Sequence, residues 1–141
     1  MSSHRHVANL GYLLKHTQQR FFELGAVALA PLGISGREAA VLRVIAAGPP
    51  VSQGEIARSM NVDRTTMVAL IDDLQVKGLV RRRQDPDDRR KNVVELTEGG
   101  RDVVRRAAEA AERAERDFLA PLSAAEAAQF KTILQALLKE G

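Results

Sequence analysis

The chain has 141 residues, a formal net charge of +3 and no cysteine. Without cysteine it has no disulfide, no thiolate zinc site and no thiol redox sensor. Residues 1–16 lack the long apolar segment of a secretory signal, and no stretch approaches the ~20 apolar residues of a membrane helix. We therefore expect one cytoplasmic domain without membrane contact.

The N-terminal segment is predicted to be one amphipathic helix. Its apolar residues recur three or four positions apart from Val7 to Leu24, which places them on one stripe of a helix over residues 7–29. Pro31 and Gly33 then end this helix.

The next two helices begin at capping signals. Ser35 and Glu38 have the spacing of a capping box, in which each side chain accepts a hydrogen bond from the other residue's backbone N–H. They predict a second helix, which the Gly-Pro-Pro of residues 48–50 stops. Residues 52–55, Ser-Gln-Gly-Glu, have the same capping-box spacing and predict a short third helix. We expect this helix to break at about Asn61, a residue type that tolerates the left-handed turn.

A fourth helix and a hairpin follow. Asp63 caps the helix and Gly78 ends it. Residues 79–83 and Asn92–Leu96 are typical of two short strands, joined by the charged, turn-rich loop 85–90. The sequence therefore predicts a mainly α fold with a small β-hairpin.

Two more helices complete the predicted fold. Thr97 opens a long fifth helix that Pro121 ends, and Ser123 and Glu126 form a third capping box. The apolar stripes of the first and last helices are wider than one small domain can cover, and a second copy could cover them through a self-complementary patch. An intramolecular bundle of the three helices is the alternative. The residues expected at a dimer interface are Val7, Leu10, Leu14, Phe118, Phe130, Leu134, Leu137 and Leu138.

The third and fourth helices with the hairpin have the order of a winged helix-turn-helix. The second helix of such a pair enters the DNA major groove with its N-terminal end toward the bases. Arg64 can fork to guanine, Thr65 and Thr66 can reach bases or phosphates, and Val68 can touch a thymine methyl. Alone, these residues could equally be an ordinary exposed first turn after an aspartate cap.

The hairpin would then be the wing. Its cations can follow phosphates or enter a narrow minor groove, although a run of arginines alone is usually a solvated face. The order of the elements favours DNA binding over either ordinary explanation. The wing cations are Arg81, Arg82, Arg83, Arg89, Arg90 and Lys91.

Residues 51–100 resemble the MarR family of bacterial regulators, most specifically in Asp88-x-Arg90 followed after five residues by Leu96-Thr97. The resemblance implies a single domain over residues 1–141. Its winged helix-turn-helix lobe would cover residues 35–96, and a helical dimerisation lobe would comprise residues 5–30 and 97–140. It also implies a homodimeric repressor at a palindromic operator, released by a small aromatic or anionic effector.

The same resemblance assigns roles to residues of this chain. Thr65 and Thr66 match recognition-helix contacts, and Asp88 and Arg90 match the wing pair in which the carboxylate steadies the arginine, with Arg89 and Lys91 alongside. The chain departs from the family at positions 68 and 69, where valine and alanine replace the threonine and arginine of many members. This shifts base reading toward Arg64, methyl contacts and DNA shape.

One strip of the first helix is a candidate effector site. Tyr12, His16 and Arg20 lie four residues apart, away from the apolar stripe. They offer an aromatic ring, a group that titrates near neutrality and a permanent cation, which suit a phenolic carboxylate. The alternative is that all three simply face solvent.

The sequence contains no pattern expected of an enzyme. His4 and His6 have poor metal spacing without a further ligand, and no glycine-rich phosphate loop is present. We therefore expect neither catalysis, nor a metal, nor a cofactor. Two other functions stay open: a winged-helix module that binds a partner protein, and a non-specific nucleoid-associated DNA binder. A steep salt dependence and competition with unrelated DNA would discriminate between them.

Overall fold

A computed structural model of the protein describes residues 9–139. They form helices α1 (Leu10–Leu29), α2 (Gly36–Ala46), α3 (Gln53–Met60), α4 (Arg64–Val76), α5 (Glu98–Leu119) and α6 (Ala124–Leu138). They also form strands β1 (Val51–Ser52), β2 (Val80–Gln84) and β3 (Asn92–Leu96), and a 3₁₀ helix over Ala30–Leu32. The predicted class, mainly helical with a small β-hairpin, is confirmed.

Capping side chains start most helices where the sequence predicts. The Ser35 hydroxyl accepts from the Glu38 N–H at 3.1 Å, and the Glu38 carboxylate accepts from the Ser35 N–H at 3.0 Å. A second complete capping box starts α6. At α3 only half of the predicted box forms, with Ser52 accepting from the Glu55 N–H at 3.2 Å. Ser52 also belongs to β1, whose backbone pairs with β3.

The first helix begins later than the apolar periodicity predicts. Asn9 has an extended backbone, and its side chain accepts from the Tyr12 N–H at 2.9 Å, so α1 begins at Leu10. Val7, one of the predicted dimer contacts, lies outside the described residues. After α1 the chain turns at Gly33, whose φ of 71° is the left-handed conformation that glycine adopts without strain.

The strands form an antiparallel sheet in the order β1-β3-β2. Val80 lies opposite Leu96 in the hairpin, and Val51 lies opposite Val94 on the other side of β3. The sequence does not predict β1, because a two-residue strand has no alternating pattern and exists only through its pairing partner. The effect is to tie the start of α3 to the hairpin.

One hydrophobic core holds α4 against α2, α3 and the sheet. Met67, Ile71 and Leu74 are fully buried and form the inner face of α4. An apolar face buried against three other elements fixes how the helix is rotated about its axis. The largest fully buried side chains are Val41, Leu42, Ile56, Met67, Ile71, Leu74, Val80 and Val94.

The terminal helices are only partly packed together. Ala110 and Ala114 of α5 are buried, and the rings of Phe21 in α1 and Phe118 in α5 meet edge to face at 5.3 Å. By contrast, α6 has no buried residue. One ion pair, between Lys131 and Glu115 at 2.8 Å, joins α6 to α5.

No single helix within residues 9–139 is both long and apolar enough to cross a membrane. Segments Leu10–Leu32 and Gly36–Ala46 would pass that test only when taken together, and they meet at a bend of 74°.

Candidate nucleic-acid interface

The turn between α3 and α4 is tight and fully capped. Asn61 adopts the left-handed conformation with φ of 52°, as the sequence predicts, and ends α3. Asp63 accepts from the Thr66 N–H at 2.7 Å and from the Thr66 hydroxyl at 2.8 Å. These bonds, first from the backbone and then from the hydroxyl of Thr66, lower the pKa of Asp63. A cap whose ionised form is favoured holds the first turn of α4 in place.

The residues predicted to contact DNA lie at this end of α4. Arg64 and Thr65 are exposed, while Thr66 and Val68 are half-buried. The Thr66 hydroxyl proton is committed to Asp63, so toward a base or phosphate Thr66 can only accept. Among these three side chains, only those of Arg64 and Thr65 can therefore donate a hydrogen bond to a base or phosphate.

A groove of about 340 Å³ runs along the helix-turn-helix, lined by Gly54, Ala57, Arg58, Asn61, Val62 and Arg64. Arg58 was not among the predicted contacts. Its position in the last turn of α3 gives it no signal of its own in the sequence, and only the turn at Asn61 brings it beside Arg64. Two guanidinium groups on one groove form a site for an anion such as a DNA phosphate.

Two of the wing arginines share one carboxylate within the hairpin. Arg81 donates to Glu95 at 2.7 Å and Arg83 donates to the other oxygen of Glu95 at 2.8 Å. These hydrogen bonds, that from Arg81 foremost, lower the pKa of Glu95. A phosphate contact by Arg81 or Arg83 stays a prediction, and it would have to compete with this carboxylate.

Arg82 points away from its two neighbours, as alternation along a strand requires. Its guanidinium contacts Gln53 of α3 and Asp72 and Gln75 of α4. A phosphate contact by Arg82 stays a prediction, and it would require Arg82 to give up one of these partners.

The tip of the hairpin is held by backbone contacts. The Asp88 carboxylate accepts from the backbone N–H of Arg90 at 3.0 Å, and Asp85 accepts from the N–H of Asp87 at 2.9 Å. Asp88 thus steadies Arg90 through its main chain rather than through its guanidinium. The Arg90 side chain stays exposed, as do those of Arg89 and Lys91.

Among the cations of the helix-turn-helix and the wing, two groups are left without ion pairs. Within residues 9–139, no carboxylate pairs with Arg58 or Arg64 at the helix-turn-helix, or with Arg89, Arg90 or Lys91 at the tip of the wing. Cations that the protein leaves uncompensated are those that gain most from a polyanion. In the wing, residues 81–83 therefore contact other side chains of the protein, whereas Arg89 and Arg90 face solvent.

The far end of α4 is anchored by a partly buried ion pair. Lys77 donates to the Glu38 carboxylate at 2.9 Å and to the Gly33 carbonyl at 2.8 Å. Burial acts to raise the pKa of Glu38, but the hydrogen bonds from Lys77 and Ser35 and the charge of Lys77 outweigh it and lower that pKa. This contact joins α4 to the turn that follows α1.

The predicted dimer contacts fall into two groups. Leu10, Leu14, Leu137 and Leu138 are 72%, 54%, 75% and 83% exposed, which leaves them available to a partner. Phe118, Phe130 and Leu134 are half-buried within the chain.

The candidate effector residues share one exposed strip of α1. The rings of Tyr12 and His16 are 4.1 Å apart, and Arg20 lies one turn further along. No three side chains within residues 9–139 are grouped as metal ligands.

Comparison with known proteins places this geometry in a family. Residues 32–91 match the model of the MarR family. The chain is 33% identical over 132 residues to a Thauera aromatica protein ascribed a regulatory role at the hcr operon, covering 93% of this chain and 80% of that protein. It is 32% identical over 130 residues to the transcriptional repressor Rv2887 of Mycobacterium tuberculosis, covering 92% of this chain and 94% of the repressor.

Solved structures give the same result. The fold superposes on the crystal structure of Rv2887 in complex with DNA with a TM-score of 0.81 and 30% identity, covering 94% of this chain and 100% of that one. It superposes on reduced MarR from E. coli with a TM-score of 0.86 and 26% identity, covering 96% of this chain and 100% of MarR. The chain therefore belongs to the MarR family of DNA-binding transcriptional regulators.

Proposed function

We propose that the protein is a homodimeric repressor that binds a palindromic operator through α4 and the wing. The observation that carries this is the pair of uncompensated cation groups, Arg58 with Arg64 and the wing tip from Arg89 to Lys91. The first group lies where a recognition helix meets bases, and the second where a wing meets the backbone. The two α4 helices of a dimer would lie about 34–36 Å apart to enter successive major grooves.

Selection of bound DNA from a random pool tests this proposal. We expect a palindrome with half-sites one helical turn apart, and an affinity that falls steeply with salt. Recovery of unrelated sequences with equal affinity would instead indicate a non-specific nucleoid-associated protein. Absence of binding at any salt concentration would favour a protein-interaction module.

The exposed leucines of the terminal helices support the homodimer. Replacing Leu137, which is 75% exposed, with aspartate should place a charge in the proposed interface and yield monomers. Val76→Asp is the matched control, because Val76 is 89% exposed but lies on α4. If both variants remain dimers by light scattering, the interface assignment is wrong. Deletion of residues 122–141 should likewise yield monomers or aggregates and abolish tight operator binding.

We further propose that a small aromatic or anionic effector binds at Tyr12, His16 and Arg20 and releases the operator. A ligand can do so only by preferring the form that does not bind DNA, and a hundredfold preference shifts the equilibrium by about 2.7 kcal/mol. A thermal-shift screen of salicylate-like acids should find a compound that stabilises the protein and weakens operator binding. Its affinity should fall in His16→Ala and Arg20→Ala but not in Arg37→Ala, which removes a cation from α2. Equal affinities in all three variants would remove the site from α1.

Membership in a family of transcriptional regulators supports two more expectations, a cytoplasmic location and the absence of enzymatic activity.

A further inference from the structure

We propose that Arg82 is a positioning residue that sets the angle between the recognition helix and the wing, and does not itself contact DNA. The proposal rests on the DNA-binding function proposed above. It concerns the Arg82 network, defined as Arg82 with Gln53, Asp72 and Gln75.

Each nitrogen of the Arg82 guanidinium contacts a different side chain. Nε donates to the Gln53 carbonyl oxygen at 2.7 Å, Nη1 donates to the Gln75 carbonyl oxygen at 2.6 Å, and Nη2 lies 2.7 Å from an Asp72 carboxylate oxygen. The planar fork of arginine fixes these directions relative to one another. One side chain of β2 therefore holds the first residue of α3 and two residues one turn apart on α4.

Burial separates Arg82 from the two neighbouring arginines of β2. Its side chain is 24% exposed, against 59% for Arg81 and 41% for Arg83 on the opposite face of the strand. An arginine already bonded on all sides must give up partners before it can reach a phosphate. The network instead determines whether α4 and the wing reach one duplex together.

Replacing Asp72 tests the proposal, because a positioning role and simple electrostatics predict opposite changes in operator affinity. Removing a negative charge from a helix that faces DNA should strengthen binding if only charge matters. If the Arg82 network positions α4, Asp72→Ala should instead weaken operator binding, by about tenfold. Asp73→Ala is the matched control, because Asp73 is also exposed on α4 and forms no ion pair within residues 9–139. We expect Asp73→Ala to bind as tightly as the parent or more tightly.

Arg82→Met provides the second test, because it keeps an unbranched apolar stem and removes the fork. We expect operator affinity to fall by about tenfold, with the slope of log K against log salt unchanged, because no phosphate contact is lost. A slope reduced by about one unit would show that Arg82 contacts a phosphate and would overturn the proposal. Tighter binding by Asp72→Ala would overturn it as well.

A distance measurement in the absence of DNA tests the positioning role of Arg82 separately from the proposed function. The chain has no cysteine, so Ala69→Cys on α4 and Asn92→Cys on β3 allow two spin labels to be placed selectively. The labelled chain is mixed with excess unlabelled chain, so that distances within one protomer dominate. We expect one narrow distance in the parent and a broadened distribution in Arg82→Met. An unchanged distribution would refute the positioning role, whether or not the protein binds an operator.

Discussion

Gly100 lies at the junction where the hairpin meets α5, and there is no room for a side chain. A Cβ built on Gly100 would lie 2.0 Å from the Leu79 carbonyl oxygen, where contacts under 3.0 Å are essentially never seen. The same junction is closed by Thr97, whose hydroxyl donates to the Gly78 carbonyl at 2.6 Å and whose N–H donates to the Leu79 carbonyl at 3.1 Å. The obstacle is backbone, so it cannot rotate away as a flexible side chain would.

Gly100→Ala must therefore separate the two segments by more than about 1 Å. Overpacking of this kind costs about 1–3 kcal/mol. The same movement would break the short bond from Thr97 to Gly78, which adds about 1 kcal/mol. Alanine favours a helix over glycine by up to about 1 kcal/mol, which offsets part of this cost. We expect a net loss of about 1–3 kcal/mol, or about 3–9 °C in Tm for a chain of this length.

Thermal and urea unfolding at one fixed protein concentration measure the loss. Gly99→Ala is the matched control. Its added Cβ would lie 3.6 Å from the Gly78 carbonyl oxygen, an ordinary contact, and alanine favours a helix over glycine by up to about 1 kcal/mol. We expect Gly99→Ala to be neutral or stabilising. Equal stability of the two variants would show that the junction yields easily and that the close approach does not anchor the wing.

Two further predictions concern the charges around α4 and the wing. Arg90→Ala should weaken operator binding and reduce the slope of log K against log salt by about one unit, because it removes an uncompensated cation. Arg83→Ala should change that slope less, since Arg83 is already paired with Glu95. Equal slope changes would contradict this division of the wing arginines. Glu38 has a pKa below its ordinary value in the folded protein, so its contribution to stability is complete above about pH 4.5 and is lost as the pH falls through the lowered pKa. Urea unfolding of Glu38→Gln should therefore show a weaker fall in stability below pH 4.5 than the parent, and parallel curves would exclude Glu38 as the source.

The sequence predicts the parts of this fold that depend on local interactions. Ser35, Asp63, Thr97 and Ser123 each cap the helix that follows them, and Asn61 adopts the left-handed turn. Such signals need only three or four neighbouring residues, so they can be recognised without knowledge of the tertiary structure.

The parts that the sequence does not predict depend on distant residues. Strand β1 exists because Val51 meets Val94, and the groove cation Arg58 gains its neighbour only through the fold. Positions 81–83 are three consecutive arginines, and the sequence does not distinguish between them. They have different roles because Glu95 lies beside Arg81 and Arg83, whereas α4 lies beside Arg82. The resemblance pairs Asp88 with Arg90 in the wing, but only the structure shows that the Asp88 carboxylate accepts from the backbone N–H of Arg90.

Because α5 is long, a small change in its packing produces a large displacement at its far end. Its 22 residues span about 33 Å, with the hairpin junction at one end and the connection to α6 at the other. Over that distance, a tilt of about 5° displaces the far end by about 3 Å, close to the 3.4 Å rise of one base step. Ala110 and Ala114 are the buried alanines in the second half of α5, so the packing of this helix is tightest there. A larger side chain at either position would tilt α5 and alter the operator spacing that a dimer can span.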